Sequence, residues 1–317
     1  MSAVRPRAAR WRVALALLVA GSALAGPPCP PRPGVLAFIS DTLAPLFFEE
    51  LRLRPEHNGE ATAALFADIL RERPQHVFLL GDLVSLGFYG RSWEAVDAFR
   101  DTLAACGIPS DAVVGNHELM LFPAEGEANF LRRFPADSPG GYIRTEDSVA
   151  VVLLNSNFGR LGTEGAWQEE RWYARTLDSL DGDPQTVAVI VCCHHAPYSN
   201  STVTGPSLPV QQRFVPPFAA ARKTRLFLSG HAHTAEHFRE GGKDFLVIGG
   251  GGGLSHPLEP GRWHDLTADP RPHFHYLLVR RDGNALVATI RALGADMRTL
   301  GDVPVPLAPV GGSERSR

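Results

Sequence analysis

Lysine is nearly absent from the sequence. Only Lys223 and Lys243 are lysines among the 31 basic residues, and the others are arginines. Genomic base composition is the simpler interpretation, and arginine-rich recognition of oxyanions is the other. A large net charge is also missing, since the formal value is −3. We therefore expect no bulk attraction to nucleic acid or to an anionic membrane.

The sequence also lacks an apolar run of the about 20 residues that a bilayer span requires. The stretch "VALALLVAGSALA" follows four arginines and ends in the small-residue pattern Ala23-Leu24-Ala25. We expect residues 1–25 to be a cleaved signal peptide, and an uncleaved anchor is the alternative. The mature protein would then have no membrane span. The arginine, alanine and proline content favours a secreted or periplasmic bacterial protein over a eukaryotic secretory one.

Cysteine is scarce, at four residues. Cys192 and Cys193 are adjacent in an apolar run, where we expect them to act as small core residues. An oxidising compartment would permit a bridge between Cys29 and Cys106, but four cysteines allow three pairings and the sequence does not choose among them.

The remaining chain is long enough for one large domain. We expect a Pro-rich linker over residues 26–33, a domain over 34–302, and a flexible tail over 303–317, which is rich in Pro, Gly and Ser. The first half of the domain alternates apolar strands with helices, which favours a parallel sheet. The second half is richer in strands and has a hairpin signal at Gly283-Asn284. The prediction is one α/β domain with two sheets.

This prediction rests on the following expected strands and helices. The expected strands are 34–40, 76–81, 111–114, 149–155, 185–193, 224–229, 244–253, 273–280 and 285–293. The expected helices are 59–74, 92–107 and 166–180, with a broken helix at 209–222.

Five of the predicted strands are followed by oxygen or imidazole donors. These donors are Asp41; Asp82; Asn116, with His117 and Glu118; His194, with His195; and His231, with His233. In α/β sheets, ligands bind beyond the carboxyl ends of the strands. Asp, Asn and His donors without thiolates suit Mn, Fe or Zn, and a carboxylate at Asp82 could bridge two ions about 3.5–4 Å apart. The pattern predicts a metal centre that acts on a phosphoryl group.

The order of these motifs, Asp, "GD", "GNHE", His and "GHAH", resembles the calcineurin-like metallophosphoesterase superfamily. The segments "GDLVSLGFYG" and "VIGGGGG" are similar to those of its purple-acid-phosphatase-like branch. The resemblance extends from about residue 34 to residue 293. It implies a four-layer α/β/β/α sandwich with two mixed sheets, and a two-metal centre between the sheet ends.

The resemblance also implies a role for each donor. The metal ligands would be Asp41 and His233 for the first ion, Asp82 as the bridge, and Asn116, His194 and His231 for the second ion. His117 would contact phosphate or protonate the leaving oxygen. His195 would either contact the substrate or simply pack in the "HHAPY" turn, and Glu118 would brace the loop of His117.

The sequence departs from the family pattern at two positions. Leu43 stands where the family has a histidine, so the first metal site is one donor short and its ion is expected to bind more weakly. Water, His57 or Glu49 would have to fill that place. Ser85 stands where the purple branch has a tyrosine. The five-glycine run at 249–253 is expected to be a tight strand-end turn, because no Lys-Ser/Thr pair follows it.

Two functions fit these features. The first is a phosphoesterase in which metal hydroxide attacks the phosphorus of a small-molecule phosphate ester, with two divalent ions (Mn, Fe or Zn) as cofactors. The second is a degenerate metal-binding or ligand-binding protein that has lost turnover through Leu43. The sequence does not distinguish monoester from diester substrates.

Overall fold

The computed structural model describes residues 30–136, 141–259, 261–294 and 296–309. The predicted signal peptide, Cys29 and residues 310–317 of the predicted tail lie outside the described residues. Within the described ranges, no helix is both long enough and apolar enough to cross a membrane.

Two six-stranded sheets carry the fold, and their strands are numbered along the chain. The first sheet contains β1 (Arg32–Ile39), β2 (Pro74–Leu79), β3 (Ser110–Ala112), β10 (His275–Asp282), β11 (Ala285–Leu293) and β12 (Leu300–Val305). The second contains β4 (Tyr142–Glu146), β5 (Val149–Leu153), β6 (Ala188–Cys192), β7 (Thr224–Ser229), β8 (Ala235–Glu240) and β9 (Lys243–Ile248). Their orders are β12-β11-β10-β1-β2-β3 and β4-β5-β6-β7-β9-β8.

Both sheets are mixed, as predicted. In the first sheet β1, β2 and β3 are parallel, while β10 and β11 pair antiparallel and meet at the predicted Gly283-Asn284 hairpin. In the second sheet β5, β6, β7 and β9 are parallel, and β4 and β8 are antiparallel edge strands. The parallel strands of each sheet therefore end at a common edge.

Helices connect these strands. They are α1 (Phe47–Glu50), α2 (Asn58–Glu72), α3 (Glu94–Ala105), α4 (Pro123–Arg133), α5 (Phe158–Gly182), α6 (Leu208–Arg213) and α7 (Val215–Ala220). The long α5 is interrupted at Gly162, whose φ of 68° and ψ of 179° are not helical.

Alternation along the strands produces the layers. In β1, Leu36 and Phe38 join the apolar core between the two sheets, while Ala37 and Ile39 face the core shared with α2 and α3. A third core lies between the second sheet and the helices α5 to α7. Successive strand residues point to opposite faces, so one apolar run supplies two cores. The result is the four-layer α/β/β/α sandwich that the family resemblance implies.

The predicted boundaries at both ends of the domain are corrected. The strand β1 begins at Arg32, inside the predicted linker 26–33, and the predicted tail is wrong at residues 303–305, which belong to β12. Val303 pairs with Ile290 of β11. The tail was expected from the Pro, Gly and Ser content of 303–317, but β12 is an edge strand, where the missing backbone donor of Pro304 is tolerated. The strands β4 and β8 and the helix α4 also lie where no element was predicted.

His275, which begins β10, is a buried residue of the first sheet beside Gly250, as expected of a structural histidine. Its Nδ1 lies 2.8 Å from the carbonyl oxygen of His273, and in the described part of the chain its Nε2 has no hydrogen-bond partner. Burial is the main cause that lowers its pKa from 6.5 to about 4.

The folded state therefore holds His275 neutral, while the unfolded chain binds a proton as pH falls below 6.5. This contribution to stability is complete above that value, is lost as pH falls from 6.5 to about 4, and amounts to about 3 kcal/mol. We expect His275→Asn, which keeps a donor for the His273 carbonyl, to flatten the decline in unfolding free energy over this range. Urea titrations at stepped pH would measure it. An exposed control, His264→Asn, should leave the slope unchanged, and an unchanged slope in His275→Asn would contradict the prediction.

Candidate metal centre

The donors predicted from strand ends meet where the parallel strands of the two sheets end. Asp41, Asp82 and Asn116 follow β1, β2 and β3 of the first sheet, and His194 and His231 follow β6 and β7 of the second. Ligand atoms of Asp41, Asp82 and His194 all lie within 4.8 Å of one another. The topology thus brings together residues that are far apart in the sequence.

Three of these donors occupy turns with left-handed backbone. The φ angles are 57° at Asp41, 50° at Asp82 and 68° at His231. A residue with a Cβ loses roughly 1–2 kcal/mol in this conformation. Side-chain contacts support the turns, because the amide of His231 donates to Asp41 Oδ2 at 3.0 Å and the amide of His117 donates to Asp82 Oδ1 at 2.8 Å.

Asp82, Asn116 and His194 form the tightest part of the centre. His194 Nε2 lies 3.2 Å from Asp82 Oδ2 and 3.1 Å from Asn116 Oδ1. On the other side of the ring, Nδ1 lies 2.9 Å from the carbonyl oxygen of Leu80. The Leu80 carbonyl accepts a hydrogen bond from Nδ1, so the ring is oriented with Nε2 toward the two oxygen donors, where this nitrogen would bind a cation.

His233 is oriented in the same way. Its Nδ1 lies 2.9 Å from the carbonyl oxygen of Leu254, and its Nε2 lies 3.4 Å from Asp41 Oδ1. The ring of His256 stacks on it with centroids 4.4 Å apart. His256 thus supports the ring of His233.

The buried charges of the centre act strongly on one another. Burial alone would lower the pKa of His194, but the charge of Asp82 and its hydrogen bond to the ring raise that pKa to about 9. Burial likewise opposes ionisation of Asp82, yet His194 and further histidines hold the pKa of this carboxyl well below its usual range. Burial and the neighbouring His195 and His194 lower the pKa of His231.

His195 enters the centre rather than only packing in a turn. Its ring nitrogens and those of His194 and His231 form a second group of ligand atoms within 4.8 Å of one another. Ser156 holds it, because His195 Nδ1 lies 2.8 Å from Ser156 Oγ and the backbone amide of His195 donates to the same oxygen at 3.0 Å. Ser156 was missed by the sequence analysis, although it also follows an apolar strand, β5.

His117 lies at the edge of the centre. Its Nδ1 lies 3.1 Å from the carbonyl oxygen of Ser85, and its Nε2 lies 4.0 Å from Asp82 Oδ2. The same Nε2 lies 3.7 Å from Glu49 Oε1, a contact that the sequence did not indicate. Ser85, which replaces the tyrosine of the purple branch, therefore orients His117 through its backbone.

Glu118 braces two of the loops, as expected. Its carboxylate accepts four backbone hydrogen bonds, from Gly115 at 2.7 Å, Leu83 at 2.7 Å, Asp82 at 2.9 Å and Val84 at 3.2 Å. Complete burial, followed by the charge of Asp82, raises the pKa of Glu118 to about 7. The side chain spans the turn after β2 and the loop after β3, and so sets the spacing of their donors.

The five-glycine run is a packing element rather than a phosphate loop. A Cβ at Gly251 would lie 2.1 Å from the carbonyl oxygen of Ser40, and one at Gly253 would lie 2.4 Å from the ring of His233. Gly230, next to His231, has the same constraint, with a Cβ position 2.4 Å from Asp41 Oδ2. Only glycine allows these segments to approach the donors so closely.

Leu43 is buried, and its backbone amide donates to the carbonyl oxygen of Asp82 at 3.2 Å. Its side chain offers no donor to the first site. The remaining donors are oxygens and imidazole nitrogens that lie close together where the parallel strands of the two sheets end. This set of donors fits a pair of divalent cations. The residues that would hold them are Asp41 and His233 on one side, Asp82 between, and Asn116, His194 and His231 on the other.

The fold and the donor set resemble those of metal-dependent phosphoesterases. The family model for calcineurin-like phosphoesterase matches residues 35–235, and the chain belongs to that family. The family implies a dinuclear metal centre and phosphoric ester hydrolysis. Among curated proteins, no sequence matches the chain.

Solved structures share the fold. A purple acid phosphatase from yellow lupin (Lupinus luteus) seeds has a TM-score of 0.65 and 16% identity, covering 86% of this chain and 54% of that one. The chain thus spans about half the length of that relative. GAP50 of Plasmodium, described as an anchor in the inner membrane complex, has a TM-score of 0.58 and 14% identity over 86% of this chain and 89% of its own. A dimetal phosphatase from Danio rerio has a TM-score of 0.54 and 17% identity over 86% and 99%.

Proposed function

We propose that the protein is an exported hydrolase of small phosphate esters that works with two divalent ions at the centre described above. The observation that carries this proposal is the convergence of Asp82, Asn116 and His194 within 3.2 Å contacts at the end of three strands. Export rests on residues 1–25, which have the sequence features of a cleaved signal peptide.

The residues divide the chemistry among them. When bound, the ions supply Lewis acidity and an activated water. Asp41 and Asp82 provide the negative charge that holds cations in a buried edge. His117 offers its Nε2 at the edge of the centre, where it can donate to a phosphate oxygen or to the leaving alcohol. His195, fixed by Ser156, lies beside His194 and His231 and serves as a second contact for the substrate.

Leu43 favours one alternative, a degenerate protein that binds metal or ligand without turnover. In that case the first site lacks a ligand that catalysis requires. Against this alternative, three protein ligands and one water molecule are sufficient for a catalytic metal site. The two functions differ in one observable, which is a hydrolysis rate that depends on metal.

We expect the metal-stripped protein to hydrolyse neither p-nitrophenyl phosphate nor bis-p-nitrophenyl phosphate, and to gain activity on reloading with Mn, Fe or Zn. The control is Asn116→Ala, which removes one donor and should lower the reloaded rate by about 100-fold or more. No metal-dependent rate in the wild type above that of the control, although the wild type binds metal, would support the degenerate protein instead.

A further inference from the structure

The short helix α1 places a carboxylate beside the centre. Glu49 Oε1 lies 3.7 Å from His117 Nε2, and the other oxygen, Oε2, accepts a hydrogen bond from the backbone amide of Leu46 at 2.6 Å. The Glu49 side chain is half-buried. The hydrogen bond from the Leu46 amide therefore holds the negatively charged Glu49 carboxylate at the edge of the centre. There it lies next to His117, the residue that is proposed to contact phosphate.

The negative charge of Glu49 repels a phosphate group, and this repulsion increases with the number of negative charges on the group. A phosphate oxygen that accepts a hydrogen bond from His117 Nε2 would lie about 3 Å from that nitrogen. It would then lie less than about 7 Å from Glu49 Oε1, a distance at which like charges at a protein surface still repel appreciably. A monoester has a second pKa of about 6 and carries nearly two charges at neutral pH. A diester carries one, so the repulsion disfavours the monoester more.

Large apolar side chains are exposed on the two segments that carry Glu49 and His117. The large exposed side chains of α1 and its end are Phe47, Phe48 and Leu51, and those of the turn after Glu118 are Leu121 and Phe122, with exposures between 52% and 77%. Phe122 also contacts the ring of Phe88, with centroids 4.7 Å apart. Single exposed apolar residues are common, but several of them on the segments that flank a polar site favour a contact with an apolar group.

The charge of Glu49 and the exposed apolar side chains both favour a phosphodiester over a phosphomonoester. A diester differs from a monoester in having a second organic group in place of the second charge. Glu49 disfavours the charge, and the apolar side chains offer a surface for the organic group. We propose, on the basis of the phosphoesterase function above, that the protein prefers phosphodiesters with apolar or aromatic alcohols, and that Glu49 is the residue that discriminates against monoesters.

The first test compares kcat/KM for bis-p-nitrophenyl phosphate and p-nitrophenyl phosphate at about pH 8, well above the second phosphate pKa of about 6. We expect the wild type to prefer the diester. Glu49→Gln, which keeps an oxygen for the Leu46 amide, should raise kcat/KM for the monoester about tenfold and change that for the diester less than threefold. The control is Glu50→Gln, an exposed neighbour on the same helix, which should leave the ratio unchanged.

The second test does not depend on turnover. Calorimetry would compare the affinities of phenylphosphonate, which carries two charges at high pH, and methyl(phenyl)phosphinate, which carries one; in both compounds carbon is bonded directly to phosphorus, so neither contains an ester bond to hydrolyse. We expect the wild type to bind the monoanion more tightly, and Glu49→Gln to reduce that preference about tenfold.

The outcomes separate the two proposals. Hydrolysis of both esters with a monoester preference, or an equal change for both in Glu49→Gln, would retain the phosphoesterase and overturn the role of Glu49. Absence of hydrolysis with a charge-dependent phosphonate affinity that Glu49→Gln removes would retain the selection and overturn the enzyme. An affinity ratio that Glu49→Gln leaves unchanged would overturn the selection whatever the rates are.

Discussion

Replacing Asp82 by asparagine is expected to lower kcat/KM for any phosphate ester by about 10³-fold or more, which corresponds to about 4 kcal/mol of transition-state stabilisation. The Asp82 side chain contacts both His194 and the loop of His117. The amide of an asparagine has a similar shape but lacks the charge, and its nitrogen cannot accept the hydrogen bond that one carboxylate oxygen accepts. The bound metal per chain, measured by elemental analysis, should fall together with the rate.

A matched control shows whether the effect requires the charge of Asp82 at the centre or follows from the loss of any aspartate. Asp97 of α3 pairs with Arg133 at 2.6 Å, with its side chain 38% exposed. Asp97→Asn should leave the metal content unchanged and alter the rate less than twofold, because the Asp97 carboxylate pairs with Arg133 of α4 and not with a donor of the centre. A loss of less than tenfold in Asp82→Asn, with metal retained, would mean that Asp82 does not bridge the ions.

The second large effect concerns stability. We expect Glu118→Ala to lower the free energy of unfolding by about 4 kcal/mol, because four backbone amides lose their acceptor and each unsatisfied buried group costs about 1–3 kcal/mol before water relieves part of it. These amides belong to the turn that carries Asp82 and to Gly115, which precedes Asn116. Activity should therefore fall as well, even at temperatures where the variant is folded.

Chemical denaturation with two probes would measure the change. Glu118→Gln tests the mechanism further, since the amide oxygen accepts while its nitrogen opposes the remaining amides, so we expect a loss between those of the wild type and Glu118→Ala. Glu127→Ala is the control, because Glu127 of α4 forms an exposed ion pair with Arg160 and should contribute less than about 1 kcal/mol. A loss below 1 kcal/mol in Glu118→Ala would show that solvent replaces the carboxylate.

Much of the centre can be predicted from the sequence because its donors follow apolar strands directly. A strand end fixes where the next residue lies, and parallel strands end at one edge, so Asp41 and Asp82 are placed by position alone. Glu49 is different. It reaches His117 from a four-residue helix whose path depends on the turn after Asp41, and no periodic pattern encodes such a path.

The central strands of the fold are predictable from the sequence for a similar reason. Continuous apolar runs identified the central strands, which are buried on both faces. The edge strands β4, β8 and β12 carry polar residues or proline, and a segment of that composition becomes a strand only because a neighbour is available to pair with it. That neighbour is a property of the tertiary structure and is not visible in the segment itself.

The left-handed turns at Asp41, Asp82 and His231 have a consequence for how the protein acquires its ions. The unfavourable backbone conformation is adopted when the chain folds, and the hydrogen bonds from backbone amides to Asp41 and Asp82 support it. Loading then needs little rearrangement, so an ion can leave and another can enter without the protein unfolding. The identity of the resident metals would in that case follow the supply in the surroundings, and a preparation would carry whichever ions its growth medium provided.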